Sequence, residues 1–443
     1  MTRFPQPTRK PQERAIVCGA RGPGCAADES IGLEEARGLV LAAGADVVGI
    51  ELTQRRARPD PATLFGSGKV AEIRAEVERV RPDLVVVDND LSPAQSRNLE
   101  KAWEVRVVDR SELILDIFAK RAMTRQARLQ VELAQSEYLA PRLRRMWTHL
   151  ERMEGAIGTR GPGETQLETD KRLLRRRIQD LREELEEIEQ RRQREVRSRS
   201  DLFTVGLVGY TNAGKSTLLN QLTGSAEFVA DMLFATLDTR TRQWRLADGR
   251  RVLLSDTVGF LQRLPHHLVA CFHATLEEAL HSDLLLHVVD ASHSDAPMQM
   301  EAVEQVLGTL SHDVRETIVV LNKIDRVPDP IVIPTLAARL EGTYVCLSAA
   351  TGEGVSDLER CVARSLDAKS VVIDVVHPVA EGGVEASVRK FCAPMLDELD
   401  PERGVRRIRV SVTPGQLGVL RHQVTPKARI EIVDDPSRAL EGS

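Results

Sequence analysis

The segment GYTNAGKS, Gly209–Ser216, sets two glycines five residues apart, directly ahead of a Lys–Ser pair. That spacing suits one chemistry. A glycine-rich turn offers backbone N–H groups to a polyphosphate, the lysine reaches β- and γ-oxygens, and the serine hydroxyl binds Mg2+. Gly209, Tyr210, Thr211, Asn212, Ala213, Gly214, Lys215 and Ser216 are therefore expected to wrap phosphates. Three further segments sort the nucleotide. In DTVG, Asp256 is expected to hold Mg2+ through water, and Gly259, after Thr257 and Val258, to turn its N–H to a γ-phosphate. In NKID (Asn322, Lys323, Ile324, Asp325), the Asp325 carboxylate can accept N1–H and the 2-amino group of guanine. Adenine lacks both donors and would leave the carboxylate unpaired, which makes discrimination steep. In SAA (Ser348, Ala349, Ala350), a backbone N–H can meet guanine O6. GTP is the expected substrate.

Between the first two motifs lies FATLD: Phe234, Ala235, Thr236, Leu237 and Asp238. Thr236 is the natural second Mg2+ ligand, with Thr239 and Thr241 as nearby rivals. The position after DTVG holds Phe260, where a Ras-like enzyme has a water-orienting glutamine. Phenylalanine has nothing to position water. The hydrolytic group is therefore not assigned, and slow intrinsic turnover with stimulation by a partner is expected. Asn212 either helps bind K+ near the phosphates or hydrogen-bonds within its own loop.

These motifs need strands to end beside them. Apolar runs at Val205–Val208, Val252–Leu254, Leu284–Val289, Ile318–Leu321 and Tyr344–Leu347 alternate with helical stretches. Each motif follows a run, where ligands of parallel α/β sheets bind. Residues 14–109 show the same alternation, with runs at Ala15–Cys18, Ala45–Ile50, Leu84–Asp88 and Val105–Val108. This predicts a small parallel sheet covered on both faces. GSGK at Gly66–Lys69 lacks the rest of a phosphate loop and reads as a helix start.

From Ser111, a plausible N-cap, a long helix is expected to about Ala140. A second is expected from Thr169–Asp170. Its residues Leu174, Ile178, Leu181, Leu185 and Ile188 form an a/d seam of about two heptads, suggesting an antiparallel hairpin. Between the helices, residues 142–168 are rich in glycine and carry Arg152 and Arg160 near Gly161 and Gly163. Such a loop suits insertion beside a polyanion, because glycine lets the backbone approach closely. After Asp367, a small β-α-β tail is expected. The expected architecture is α/β and multidomain: an N-terminal α/β subdomain (1–110), a helical hairpin (111–199), a P-loop GTPase domain (200–368) and a small C-terminal α+β domain (369–443).

The 443-residue chain carries a net charge of −5. Residues 120–199 hold 20 basic and 14 acidic side chains, or +6, leaving −11 for the rest. That asymmetry fits a basic interaction module, or a solvated helix pair laced with i,i+4 ion pairs. Six scattered cysteines form no CxxC pair, so no zinc ribbon or disulfide framework is expected. With no long apolar run and no apolar leader, no membrane span is expected and a cytoplasmic location is.

The stretch AIGTRGPGETQLETDKRLLRRRI from Ala156 resembles the HflX family, in the Obg–HflX group of P-loop translation-factor-related GTPases. SGKVAEI, LSPAQSRNLEKA, DRSELILDIFAKRA, LQVELAQSEYLAPRL, GYTNAGKSTLLN, FATLDTRTR and DTVGFLQRLP carry the same resemblance, over about residues 14–367. The tail after 370 is only loosely similar. The resemblance implies binding of the large ribosomal subunit and the splitting or rescue of stalled or idle ribosomes. It also implies that Arg152, Arg160, Gly161 and Gly163 approach the peptidyl-transferase region. A monomer is expected. Alternatives are a regulatory GTPase acting on RNA remodelling or ribosome assembly, and a signalling GTPase with protein partners only.

Overall fold

A computed structural model describes residues 12–22, 33–143, 162–198, 202–224, 240–261, 279–310, 316–389, 394–424 and 427–434. The chain divides into two compact units near residue 186.

In the first unit, β1 (Arg14–Arg21), β2 (Asp46–Val47), β3 (Leu52–Arg55), β4 (Leu84–Val87) and β5 (Arg106–Asp109) form one parallel sheet. Its order is β2-β1-β4-β5, with β3 also on β1. Ile16, Cys18, Val85, Val87 and Val107 share a core with α2 (Ser67–Val80) and α3 (Pro93–Trp103). Both faces of the central strands are buried, as parallel pairing requires. The helix α1 (Glu34–Ala43) packs with α4 (Arg110–Arg121).

The single helix expected from Ser111 is two helices. Asp109, not Ser111, caps α4 by accepting from Glu112 N–H at 2.8 Å. The chain breaks at Ala122, and Thr124 caps α5 (Arg125–Leu139). In the break, Thr124 satisfies an N–H that a continuous helix would have bonded internally. The second long helix, α6 (Pro162–Ser198), starts seven residues before Thr169. Proline at its first position explains this: its ring is pre-set for a helix start and its missing N–H costs nothing there. Gly163 therefore lies in α6, not in a loop, while Arg152, Arg160 and Gly161 lie outside the described residues. Leu181 of the expected seam is fully buried; Leu174, Ile178, Leu185 and Ile188 are half-buried. The seam is thus one deep contact rather than a sealed coiled coil.

In the second unit, β6 (Phe203–Gly209), β7 (Arg240–Arg245), β8 (Arg251–Asp256), β9 (Leu284–Asp290), β10 (Thr317–Asn322) and β11 (Tyr344–Cys346) form a six-stranded sheet. Its order is β11-β10-β9-β6-β8-β7, parallel except for β7. Val205, Leu207, Leu254, Leu286 and Val320 pack under α7 (Lys215–Thr223) and α10 (Val355–Ala368). The opposite face takes α8 (Ala296–Leu310) and α9 (Val332–Ala337).

The tail is more than β-α-β. Strands β12 (Val371–Pro378), β13 (Leu396–Asp400), β14 (Val405–Val412) and β15 (Arg429–Asp434) join α11 (Gly382–Arg389) and α12 (Pro414–Val424). The antiparallel order β13-β14-β12-β15 is the split βαβ, ferredoxin-like topology. The two strands missing from the expectation, LDELD and RIEIVD, lack the apolar runs that marked the others.

Candidate guanine-nucleotide site

The turn between β6 and α7 is held from three sides. From within, the Lys215 ammonium donates to the Gly209 and Tyr210 carbonyls at 3.0 and 2.8 Å. From the base-binding side, the Asn322 amide donates to the Ala213 carbonyl at 2.8 Å. Only glycine at 214 allows that reach. With φ of +97°, a Cβ there would lie 2.2 Å from Asn322 Nδ2. From the switch side, Thr211 N–H donates to the Phe260 carbonyl at 2.7 Å, and Phe260 N–H to the Gly209 carbonyl at 3.0 Å. These two bonds extend the β6–β8 ladder beyond Asp256. They turn the Phe260 ring into the core, at 4% exposure, away from any role on water.

Ser216 donates its hydroxyl to Asp256 at 2.7 Å, and Asp256 is fully buried. A hydroxyl and a carboxylate side by side at the head of α7 fit Mg2+, which takes oxygen ligands and keeps waters. Thr236, with Phe234, Ala235, Leu237 and Asp238, lies outside the described residues. Thr257 is buried and its hydroxyl donates to the Leu207 carbonyl at 2.7 Å, and Val258 is buried beside it. Gly259 is pressed against the loop: a Cβ on it would sit 2.7 Å from Thr211 Cα and 2.9 Å from Lys215 Nζ.

Burial holds the Lys215 ammonium down to about 8, with the Asp256 charge opposing. Behind it, His287 on β9 is buried and is pushed down to about 4, first by burial and then by Lys215. Nothing in the motifs pointed to His287.

On the base side, Asp325 sits on a one-turn 3-10 helix, Ile324–Arg326, part-exposed beside Arg326. Lys323, at φ of +62°, is tied to Asp290 at the end of β9 by a 2.7 Å ion pair. Asp290 is a residue that motif reading missed. Asn322 is 1% exposed, and its carbonyl oxygen accepts Ala349 N–H at 2.9 Å. Ser348 N–H donates to the Glu353 carbonyl. Of the three expected donors to guanine O6, two are therefore engaged by the protein, and among the described residues Ala350 N–H has no protein acceptor. Asn212 takes φ of +62°, a left-handed turn that asparagine tolerates. Its exposed side chain makes no hydrogen bond among the described residues, so the intraloop alternative finds no partner.

In the first unit, α6 carries a separate feature. Arg177 and Arg182 pair with Glu132 and Glu137 of α5 at 2.7 Å, and Arg125 with Glu184 at 3.3 Å. Lys171, Arg172, Arg175 and Arg176 have no acidic partner among the described residues. They line one open groove with Glu168 and Gln179.

Sheet order, phosphate loop and base-side motifs define a P-loop GTPase. Three family profiles run along the chain: "GTP-binding GTPase N-terminal" at residues 30–119, "GTP-binding GTPase Middle Region" at 121–199 and "50S ribosome-binding GTPase" at 204–323. GTPase HflX of Magnetococcus marinus is 46% identical over 426 residues, spanning 94% of this chain and 96% of the relative. GTPase HflX of Escherichia coli strain K12 is 46% identical over 354 residues, spanning 79% and 82%. A GTP-binding protein from Sulfolobus solfataricus, solved with GDP, aligns at 23% identity and a TM-score of 0.43, covering 80% of this chain and 98% of that one. The chain belongs to the HflX family of GTPases, and it is a GTP-hydrolysing enzyme. Among the described residues no helix is long and apolar enough to cross a membrane.

Proposed function

We propose that this chain is a GTP-switched factor that engages the large ribosomal subunit and splits or rescues stalled or idle ribosomes. In this reading it works as four parts, 1–110, 111–199, 200–368 and 369–443, and acts as a cytoplasmic monomer. GTP holds the engaging form, and hydrolysis releases it, because a ligand shifts an equilibrium only through differential affinity. Turnover is slow alone and stimulated by the ribosome.

Residues 209–216, 234–238, 256–259, 322–325 and 348–350 bind the nucleotide. Ser216, Thr236 and, through water, Asp256 hold Mg2+. When bound, Mg2+ neutralises charge developing between the β- and γ-phosphates. Lys215 does the same from the loop, and Asp325 selects guanine. The exposed Asn212 amide is a candidate ligand for K+, and turnover in K+ against Na+ tests it.

The observation that carries the ribosomal reading is the contrast on α6. Its arginines facing α5 are neutralised, whereas Lys171, Arg172, Arg175 and Arg176 are left as a stripe. A stripe of unpaired cations binds a phosphate backbone by releasing counterions. It lies just beyond residues 152–163, the segment expected to approach RNA. The description "50S ribosome-binding GTPase" for residues 204–323 supports the same partner. Replacing the four cations by glutamine should weaken binding to purified large subunits tenfold or more, flatten its salt dependence and leave GTP affinity unchanged. Unchanged binding and salt slope would refute the assignment.

A further inference from the structure

We propose that Thr211 is the residue that orients the attacking water in GTP hydrolysis, the task that Phe260 cannot perform. This deepens the nucleotide-site reading and rests on it. Thr211 is 6% exposed, and its hydroxyl oxygen is buried with no hydrogen-bond partner among the described residues. Burying a hydroxyl without a partner is costly, so its retention calls for an explanation.

Its position supplies one. Thr211 Cα and Cγ2 and Lys215 Nζ converge within 2.7–2.9 Å of the point where a Gly259 Cβ would lie. Lys215 Nζ and Thr211 thus lie together against one face of Gly259, the glycine expected to meet a γ-phosphate. A 120° step about χ1 carries the hydroxyl into the staggered position that the methyl holds, and the methyl into that of the Cβ hydrogen. The backbone need not move, because Thr211 N–H stays on the Phe260 carbonyl. The same two-strand clamp that buries the phenyl ring therefore fixes the threonine beside the reacting group.

In the step, the water oxygen forms a bond to Pγ. The bond from Pγ to the β–γ bridging oxygen breaks, and its electron pair leaves with GDP. The proton from water ends on the released phosphate. Threonine is too weak a base to take that proton. Its oxygen accepts a hydrogen bond from the water and aims the lone pair at Pγ.

The test uses the full chain. Single-turnover GTP hydrolysis and GDP affinity are measured for wild type, Thr211→Val, Thr211→Ser and Lys215→Ala. Valine keeps the shape and removes the hydroxyl. Thr211→Val should slow hydrolysis at least tenfold more than it weakens GDP binding, and Thr211→Ser should restore the rate. Wild-type hydrolysis in Thr211→Val, or equal losses of rate and GDP affinity, would overturn the proposal. Lys215→Ala guards the underlying reading: if it binds GDP like wild type, the nucleotide site itself is misassigned.

Discussion

The Asn322 side-chain amide donates to the Ala213 carbonyl at 2.8 Å and thereby ties the base-side motif to the phosphate loop. Its other end accepts Ala349 N–H at 2.9 Å. One buried side chain thus joins three motifs, the phosphate loop lying 109 residues before it and Ala349 lying 27 after it. Asn322→Ala breaks both bonds and leaves a buried donor and a buried carbonyl to find water. It should destabilise the chain by roughly 2–4 kcal/mol and weaken GDP binding at least tenfold. Denaturant unfolding and equilibrium GDP titration check this pair of effects.

Guanine selection should follow Asp325. Replacing its carboxylate with an amide, Asp325→Asn, turns one acceptor into a donor. Preference should shift from guanine toward xanthine nucleotides, whose C2 oxygen can accept that donor. Competition of GDP and XDP for the variant reads this out; an unchanged preference for GDP would remove Asp325 from the role.

The Lys215 ammonium titrates near 8 in the nucleotide-free protein. A bound polyphosphate raises that value, so binding takes up a proton above pH 8. GDP affinity should be flat below pH 8 and fall toward tenfold per pH unit above it. Isothermal titration in buffers of different ionisation enthalpy should show proton uptake at pH 9 and little at pH 7.

His287 behaves in the opposite range. Folded, it stays neutral down to about 4; unfolded, it takes a proton below its usual 6.5. The folded state therefore binds fewer protons, and stability contributed by the neutral ring is lost as pH falls from 6.5 toward 4. The shift corresponds to roughly 3 kcal/mol. Comparing urea midpoints of wild type and His287→Gln across this range isolates the contribution, and the pH slope should be shallower in the variant.

The phosphate-loop motif is legible because phosphate chemistry imposes spacing on sequence: Gly209, Gly214, Lys215 and Ser216 can stand in only one order, and the structure sets them at the junction of a strand and a helix. Strands were legible where β-branched and leucine runs marked buried faces, as in Leu84–Val87 and Leu284–Asp290. Strand β13, LDELD, has exposed central residues and no such mark. The break between α4 and α5 carries no glycine or proline; its signal was Thr124 alone. The start of α6 at Pro162 was masked by the glycines around it. The orphaned Thr211 hydroxyl, buried His287 and the Asp290–Lys323 pair arise from contacts between distant strands and loops, which no local pattern encodes. Likewise, the four α6 cations stand apart only once Glu132 and Glu137 are seen to neutralise their neighbours.

Charge arithmetic has the same lesson. A net charge of −5 for the whole chain conceals the +6 of residues 120–199, within which Lys171, Arg172, Arg175 and Arg176 line one groove.

Co-sedimentation of the full chain with purified large ribosomal subunits, in GDP, GTP or a non-hydrolysable GTP analogue, tests the central claim most directly. The account predicts pelleting that is strong with the analogue, weaker with GDP, and reduced by neutralising Lys171, Arg172, Arg175 and Arg176. Pelleting that ignores the nucleotide, or no pelleting at all, would contradict it.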